Sequence, residues 1–178
     1  MVREFELGDI CSISRGQRVT KKDLVIDGLY PVISGGVKPL GYINKYNRES
    51  NVITIAQYGT AGYVNMITTQ FWANDVCYSI LPNALVDNKY LYYLLKNKQD
   101  LLYSLKTDAI PSCLPIDRLK SIKIFVPSLE KQKYIVSILD RFSTLAESME
   151  SGIPAEIEAN RKRYEYYRDK LLSFDELH

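Results

Sequence analysis

The chain has 178 residues, 46% of them hydrophobic and 25% charged, with 23 Lys+Arg against 21 Asp+Glu for a net charge of +2. That length holds one domain of ordinary size plus an appendage, and the apolar fraction supports a real core. No apolar run approaches ~18 residues, which excludes a membrane-spanning helix, and the opening Met1-Val2-Arg3-Glu4-Phe5 lacks the apolar centre of a signal peptide.

Cys11, Cys77 and Cys113 are odd in number and far apart. They make neither a disulfide framework nor a metal knuckle, so the expectation is a reducing cytoplasmic setting with no metal and no cofactor. His178, the sole histidine, is terminal, which argues against histidine-based catalysis. The net charge hides an asymmetry: residues 1–128 carry +4 and residues 129–178 carry −2. A modest basic excess of this kind is compatible with a polyanionic partner but does not by itself indicate one.

In chain order, Phe5–Ile13 reads as an initial turn or strand that Gly16 ends, followed by the polar loop Ser14–Arg18 with two guanidiniums. Leu29–Ile33 reads as a strand. Ser34-Gly35-Gly36 must then turn, and paired glycines permit positive φ there. Asn51–Ala56 is the clearest strand, β-branched and expected to be buried on both faces. Gln57-Tyr58-Gly59-Thr60-Ala61-Gly62 makes a hairpin-like excursion before Tyr63-Val64 restarts a strand. Val76–Leu81 is another strand, broken by Pro82-Asn83. Tyr90–Leu95 is an amphipathic helix capped by Asp87 or Asn88. A short helix over Gln99–Ser104, a loop over Lys106–Ser112 and a turn at Asp117–Leu119 follow. Ile122–Val126 alternates and is expected to close the sheet. Pro127-Ser128 marks a sharp boundary, since proline ends a strand and Ser128 can cap a helix.

The last quarter carries two apolar series that step by three and four residues: Ile135, Ile138, Phe142, Leu145, Met149, and then Ile157, Asn160, Tyr164, Tyr167, Leu171, Phe174. This is the period of a helix with one seam facing another helix. Gly152 and Pro154 interrupt the pattern, and a new helix is expected from Pro154. A rod of ~46 residues at ~1.5 Å each spans roughly 65–70 Å, too long to lie against the preceding domain. Two arrangements satisfy the seam: a hairpin folded at Glu150–Ile153, or one broken rod that pairs with a rod from another copy or a partner. The length favours the rod.

No enzyme constellation is present. A base methyltransferase needs an Asn-Pro-Pro-Tyr-type motif, and neither Asn-Pro-Pro nor Asp-Pro-Pro occurs. Gly35-Gly36…Gly41 does not match the dinucleotide-binding fingerprint. Asp75, Asp87, Asp100, Asp108 and Asp117 are scattered rather than clustered as a metal-dependent nuclease requires, and a serine or cysteine nucleophile would lack a base. A binding or scaffold role is favoured over an enzyme with an unfamiliar site.

Several stretches together resemble the specificity subunit of type I restriction-modification enzymes. Leu7-Gly8-Asp9-Ile10 with Gly16 is similar to the family's opening segment. Ser34-Gly35-Gly36 and Gly59-Thr60-Ala61-Gly62 are similar to its glycine-bearing target loops. Pro127-Ser128-Leu129-Glu130-Lys131-Gln132-Lys133-Tyr134-Ile135 resembles the entry into its conserved helix, and Ile153–Ile157 with Tyr164–Leu172 resembles the remainder. The chain departs at Ser128, where a second proline is common, and at Lys131, where glutamate is common. Such subunits usually carry two recognition domains and two helical regions, whereas this chain has the length of one of each.

The resemblance implies an α+β fold: a mixed α/β target-recognition domain over 1–128, then a long helical, coiled-coil arm over 129–178. It implies a non-catalytic protein that binds double-stranded DNA. Separate methyltransferase (modification) subunits and a restriction/translocase subunit would supply the chemistry, and the arm would pair two half-subunits, most simply as a homodimer. The rival reading is a coiled-coil adaptor without DNA specificity. Under the DNA reading, Arg15, Gln17 and Arg18 are candidates for phosphates or guanine edges, because arginine can bridge two acceptors. Gly35, Gly36, Lys38 and Tyr42 form a second candidate group. Gln57, Tyr58, Gly59 and Thr60 form a third, with the Gln57 amide matched to adenine. Lys106 and Thr107 are candidates for phosphate contact. Trp72 is expected in the core. Ile135, Ile138, Phe142, Leu145, Met149, Ile157, Tyr164, Tyr167 and Leu171 are the candidate dimerisation residues.

Overall fold

The structure, a computed structural model, describes residues 2–149 and 154–172, with side chains described outside 146–157. The β-elements are β1 (Arg3–Glu6), β2 (Cys11–Arg15), β3 (Tyr30–Ile33), β4 (Gly41–Ile43), β5 (Val52–Ala56), β6 (Val64–Ile67), β7 (Trp72–Ala73), β8 (Cys77–Pro82) and β9 (Lys123–Val126). The helices are α1 (Leu7–Ile10), α2 (Asn88–Asn97), α3 (Gln99–Ser104), α4 (Ile116–Lys120), α5 (Leu129–Met149) and α6 (Pro154–Leu172).

The strands make three sheets, not one. The largest runs β2-β8-β5-β6, antiparallel throughout. A second runs β4-β3-β7, with β3 antiparallel to β4 and parallel to β7. The third pairs β1 with β9. The expectation that Ile122–Val126 closes the main sheet is corrected here. This strand instead meets the N-terminal strand, in register Arg3 opposite Val126, and so pins the two ends of the globular part together.

Val52-Ile53-Thr54-Ile55-Ala56 is buried at every position, as a β-branched run in a central strand should be. One face of its sheet packs on α2. There the Asp87 carboxylate caps the helix, accepting from the amides of Lys89 and Tyr90 at 3.0 and 2.9 Å, an arrangement worth about 1 kcal/mol. Tyr90, Leu91, Leu94 and Leu95 are buried on the face beneath. Burying Tyr90 is tolerated because its hydroxyl donates to the Phe125 carbonyl at 3.0 Å. Trp72 joins Val19, Val32 and Ile43 in a separate small core, as expected of a core tryptophan.

The arm grows out of this core. Ser128 Oγ accepts weakly from the Lys131 amide at 3.4 Å. Ile135 and Leu139 are buried in the main cluster. Tyr93 donates to Asp140 at 2.6 Å and Lys89 pairs with the other Asp140 oxygen at 2.7 Å, tying α2 to the second turn beyond. The favoured reading of one broken rod is corrected: α6 packs along α5 of its own chain. The Phe142 and Tyr167 rings stack with centroids 5.3 Å apart, while Tyr164 and Leu171 lie against the main core and Leu172 is inside it. The seam period was legible, but the arm meets its own second half. The outer face of α6 carries the ion pairs Arg161–Glu165 and Lys162–Glu158. Glu150–Ile153, where the fold-back was placed, and Phe174 lie outside the described residues, as do the side chains of Met149 and Ile157.

Candidate nucleic-acid interface

One end of the four-stranded sheet gathers most of the loops singled out from the sequence. The register sets this. Arg15 at the end of β2 stands opposite Tyr78 at the start of β8, and Ala56 at the end of β5 stands opposite Cys77. Segments 16–19, 57–63 and 74–76 therefore leave the sheet on the same side. Segment 34–36 joins them because β3 ends beside β7, Ile33 opposite Ala73.

These loops are bonded to one another. The Thr60 amide donates to the Gly35 carbonyl at 2.7 Å, and the Gln57 amide donates to the Val76 carbonyl at 2.9 Å. A Cβ at Gly35 would stand 2.4 Å from the Tyr58 carbonyl oxygen, and one at Gly59 would stand 2.6 Å from the Gly35 carbonyl oxygen. Gly59 also has φ +71°, where a side chain is strained. The paired glycines Gly35 and Gly36, in contrast, do not have positive φ, which corrects that expectation: Gly35 is required for close approach, not for chain reversal.

Asn74, 5% exposed, is the hub. Its Oδ1 accepts from the Val19 and Asp75 amides, and its Nδ2 donates to the Val19 carbonyl and to Ser34 Oγ. Asn47 brackets Ala73 through both of that residue's backbone groups, at 2.7 and 3.0 Å. Arg48 donates to Ser79 Oγ, Ser14 Oγ and the carbonyls of Asn47 and Arg15. None of these three positioning residues was identified from the sequence. Short Asn-containing segments beside strands were the available signal.

A fifth loop, 106–113, docks on this end. Tyr58 bridges Cys113, and the Leu114 amide donates to the Gln57 carbonyl at 2.9 Å. Thr107 closes the loop: its amide donates to the Cys113 carbonyl at 2.8 Å, and its Oγ1 accepts from the Cys113 amide at 3.1 Å.

The candidate side chains divide. Arg15, Gln17, Arg18, Gly36, Lys38, Tyr42, Gly59 and Lys106 are exposed, and Gly35, Tyr58, Thr60 and Thr107 are half-buried. Arg15, Arg18, Lys38 and Lys106 belong to no ion pair among the described residues, although Asp75 and Asp108 lie in neighbouring loops. Arg15 sits 5.8 Å over the Tyr78 ring and Lys106 sits 5.6 Å over the Tyr103 ring. Such contacts orient the cations without neutralising them. Burial pushes the Tyr78 hydroxyl upward in pKa, partly offset by Arg15, so Tyr78 stays a neutral donor, here to the Leu114 carbonyl at 3.1 Å.

Lys38 and Tyr42 stand apart from the loop cluster. With Gly36, Thr54, Asn65 and Thr68 they line a cavity of about 230 Å³ between β3–β4 and β5–β6. Gln57 is the clearest departure. It is 3% exposed and its Oε1 has no hydrogen-bond partner among the described residues. Its backbone joins the loops, and its side chain lies beneath the surface. Of the arm candidates, Ile135 is buried in its own chain's core, Tyr164 and Leu171 pack against it, Phe142 and Tyr167 stack on each other, Ile138 is half-buried and Leu145 is 52% exposed.

Among the described residues no cluster of His, Cys, Asp and Glu could hold a metal, and no helix is long and apolar enough to cross a membrane.

Comparison with known proteins gives the family. A putative type I restriction enzyme specificity subunit from Haemophilus influenzae is 32% identical over 98% of this chain and 49% of its own length. The EcoR124I/EcoR124II specificity subunit of Escherichia coli is 40% identical over 54% of this chain and 24% of its own. The crystal structure of the S subunit of a type I restriction-modification system from M. genitalium superposes with TM-score 0.77 at 26% identity, covering 99% of this chain and 47% of that one. The chain thus spans about half the length of the relatives that it matches nearly end to end. The model of the type I restriction modification DNA specificity domain matches residues 2–159, and the chain belongs to that family.

Proposed function

We propose that residues 1–128 read duplex DNA in a sequence-specific way, as one recognition half of a type I restriction-modification specificity subunit, and that catalysis resides in partner methyltransferase and restriction/translocase subunits. The observation that carries this reading is the bonded cluster of five loops at one sheet end. It holds Arg15, Arg18 and Lys106 toward solvent beside the half-buried Thr60, with no ion pair to those cations among the described residues. Unneutralised cations attract the phosphate backbone, while short rigid loops of small residues fit a groove. Rigidity matters because loops that are already ordered lose little entropy on binding.

The arm in this reading couples two recognition halves. Two copies related by a two-fold axis present identical surfaces in opposite orientations, which requires a split, inverted-repeat target. The work is done on cytoplasmic DNA and needs no cofactor in this chain.

Selection of preferred sites from random duplexes, using the chain together with its methyltransferase subunits, tests the reading. The expected result is a split motif with a fixed spacer. Recovery of no motif would favour the adaptor reading, in which the helices bind protein alone.

A further inference from the structure

Loop 106–113 ends in an unusual surface. Ile110 is 101% exposed, the most exposed large apolar residue described in the chain. Its neighbours Ala109 and Pro111 are exposed as well. An isolated exposed apolar side chain on a mobile loop would mean little. This loop is tightly built. Thr107 and Cys113 exchange backbone and side-chain hydrogen bonds, and Ser112 Oγ donates to the Thr107 carbonyl at 2.6 Å. Arg118 braces the base by donating to the carbonyls of Leu105 and Lys106 at 3.0 and 3.2 Å. The fold therefore holds a methyl-rich tip in water instead of letting it collapse onto the core.

The tip's location narrows what it meets. Cys113 bridges Tyr58, and three residues of chain reach at most about 11 Å, so Ile110 stands within that distance of Cys113, the residue paired with Tyr58. Lys106 is exposed at the start of the same loop, and Asp108 is an exposed carboxylate within it. A purely phosphate-binding loop would not place a carboxylate and an isoleucine at its tip. A base-reading loop has use for both, because a carboxylate accepts from the cytosine amino group and an apolar side chain contacts the thymine methyl.

Resting on the DNA-recognition reading above, we infer that Ile110 is a specificity-determining residue which contacts the C5-methyl group of a thymine in the major groove of the target. The ligand chemistry is one methyl group at one base-pair position in the half-site. The contact is apolar and independent of salt, so it adds discrimination without adding to the electrostatic affinity.

Replacing thymine by uracil in the selected target removes that methyl and nothing else. Each thymine is replaced in turn, and binding is measured for the complex of this chain with its methyltransferase subunits. With the natural chain, one position per half-site should lose about fourfold in affinity, the value of one buried methyl group. With Ile110→Ala, overall specific binding should fall by at least about fourfold, and uracil and thymine should become equivalent at that position. Indifference to uracil at every position while specific binding persists would overturn the inference and leave the DNA reading standing. Absence of any sequence-specific binding would overturn both. A loss of assembly with the methyltransferase subunits in Ile110→Ala, with uracil discrimination unchanged, would show that the tip docks protein and also overturn it. Ile110 makes no core contact, so the variant keeps its fold, which a thermal melt verifies.

Discussion

The Asp87 amide donates to the Gln132 side-chain oxygen at 2.7 Å, one of several bonds that join the globular part to the arm. Gln132 is 0% exposed. Its Nε2 also donates to the carbonyls of Leu85 and Pro127, at 3.0 and 2.9 Å. Asp87 is in turn the cap of α2. The first turn of the arm is thus bonded to the N-terminus of the helix that covers the main sheet, and the arm leaves the domain at a fixed angle. Gln132→Leu would leave the buried Pro127 carbonyl and the part-buried Asp87 amide and Leu85 carbonyl without this partner. Each such group costs about 1–3 kcal/mol, and the variant should lose at least about 2 kcal/mol in a urea titration, whereas the neighbouring exposed Lys131→Ala should stay within about 0.5 kcal/mol.

Gly35 and Gly36 should behave differently despite being adjacent. At Gly36 an added Cβ would come no nearer than 3.5 Å, to the Lys38 carbonyl oxygen, and Gly36→Ala should bind the selected target as the natural chain does. Gly35→Ala drives a methyl into the Tyr58 carbonyl and must part the two loops. The fold's core lies elsewhere, so the expected signature is a loss of specific DNA binding of tenfold or more with a smaller loss of stability. Equal binding by both variants would show that the approach of these loops is irrelevant to recognition.

Much of this was readable from the residues, and the exceptions have physical causes. Strand β5 and helix α2 were legible because burial on both faces and a cap-plus-period pattern are local signals. Strands β4 and β7 were missed. They are three and two residues long, and β7 is held by its pairing with β3 and by the Asn47 side chain rather than by its own propensity. The heptad-like seam of the arm was legible as a seam, but a period says which face is apolar and not what covers it, and α6 turned out to cover α5. At the site, Gly59 and Gly62 hold the positive-φ turn, whereas Gly35 marks a close approach of two loops. The burial of Gln57 was not legible, because which way a loop side chain points is decided by the other loops that it joins.

Gln57 accordingly yields a test that separates a reader from a strut. Its side chain is buried with an oxygen that has no partner among the described residues, so an unbranched apolar replacement of similar volume removes a poorly satisfied polar group. Gln57→Met should stay within about 1 kcal/mol of the natural stability and should select the same DNA motif. A changed base at one position would show that Gln57 reads a base.

Alkaline pH should weaken the fold through groups that are buried in the neutral form. Burial pushes the thiols of Cys11 and Cys77 up to about 12 from 9.0. Burial also raises the hydroxyl of Tyr90, and burial followed by the Asp140 hydrogen bond raises that of Tyr93. The folded pKa values lie above the unfolded ones. The associated stability is therefore complete below pH about 9 and is lost as pH rises from there toward 12. The urea midpoint should fall between pH 8 and pH 10.5, and at pH 8 a thiol reagent should reach Cys11 and Cys77 only on unfolding. A midpoint that holds or rises at pH 10.5 would contradict the burial of these groups.

The arm offers the last test, because its apolar residues now fall into two classes. Phe142 and Tyr167 stack on each other, and Leu172 is in the core. Leu145 is 52% and Tyr166 59% exposed on the same hairpin. If the hairpin pairs with a second copy, the exposed residues supply the contact and the stacked ones supply the hairpin itself. Phe142→Ala should cost about 2–4 kcal/mol of chain stability and loosen α6 from α5. Leu145→Asp should leave stability within about 1 kcal/mol and shift the sedimentation equilibrium toward monomer. Should Leu145→Asp leave association intact while Phe142→Ala abolishes it, the partner contact would lie along the stacked face. The hairpin would then have to open before two copies could pair, and pairing would slow as the α5–α6 contact is strengthened. Measuring the association rate of the natural chain against that of Phe142→Ala distinguishes the two routes: a closed hairpin that docks as it stands associates no faster when the stack is weakened, whereas an exchanging one does.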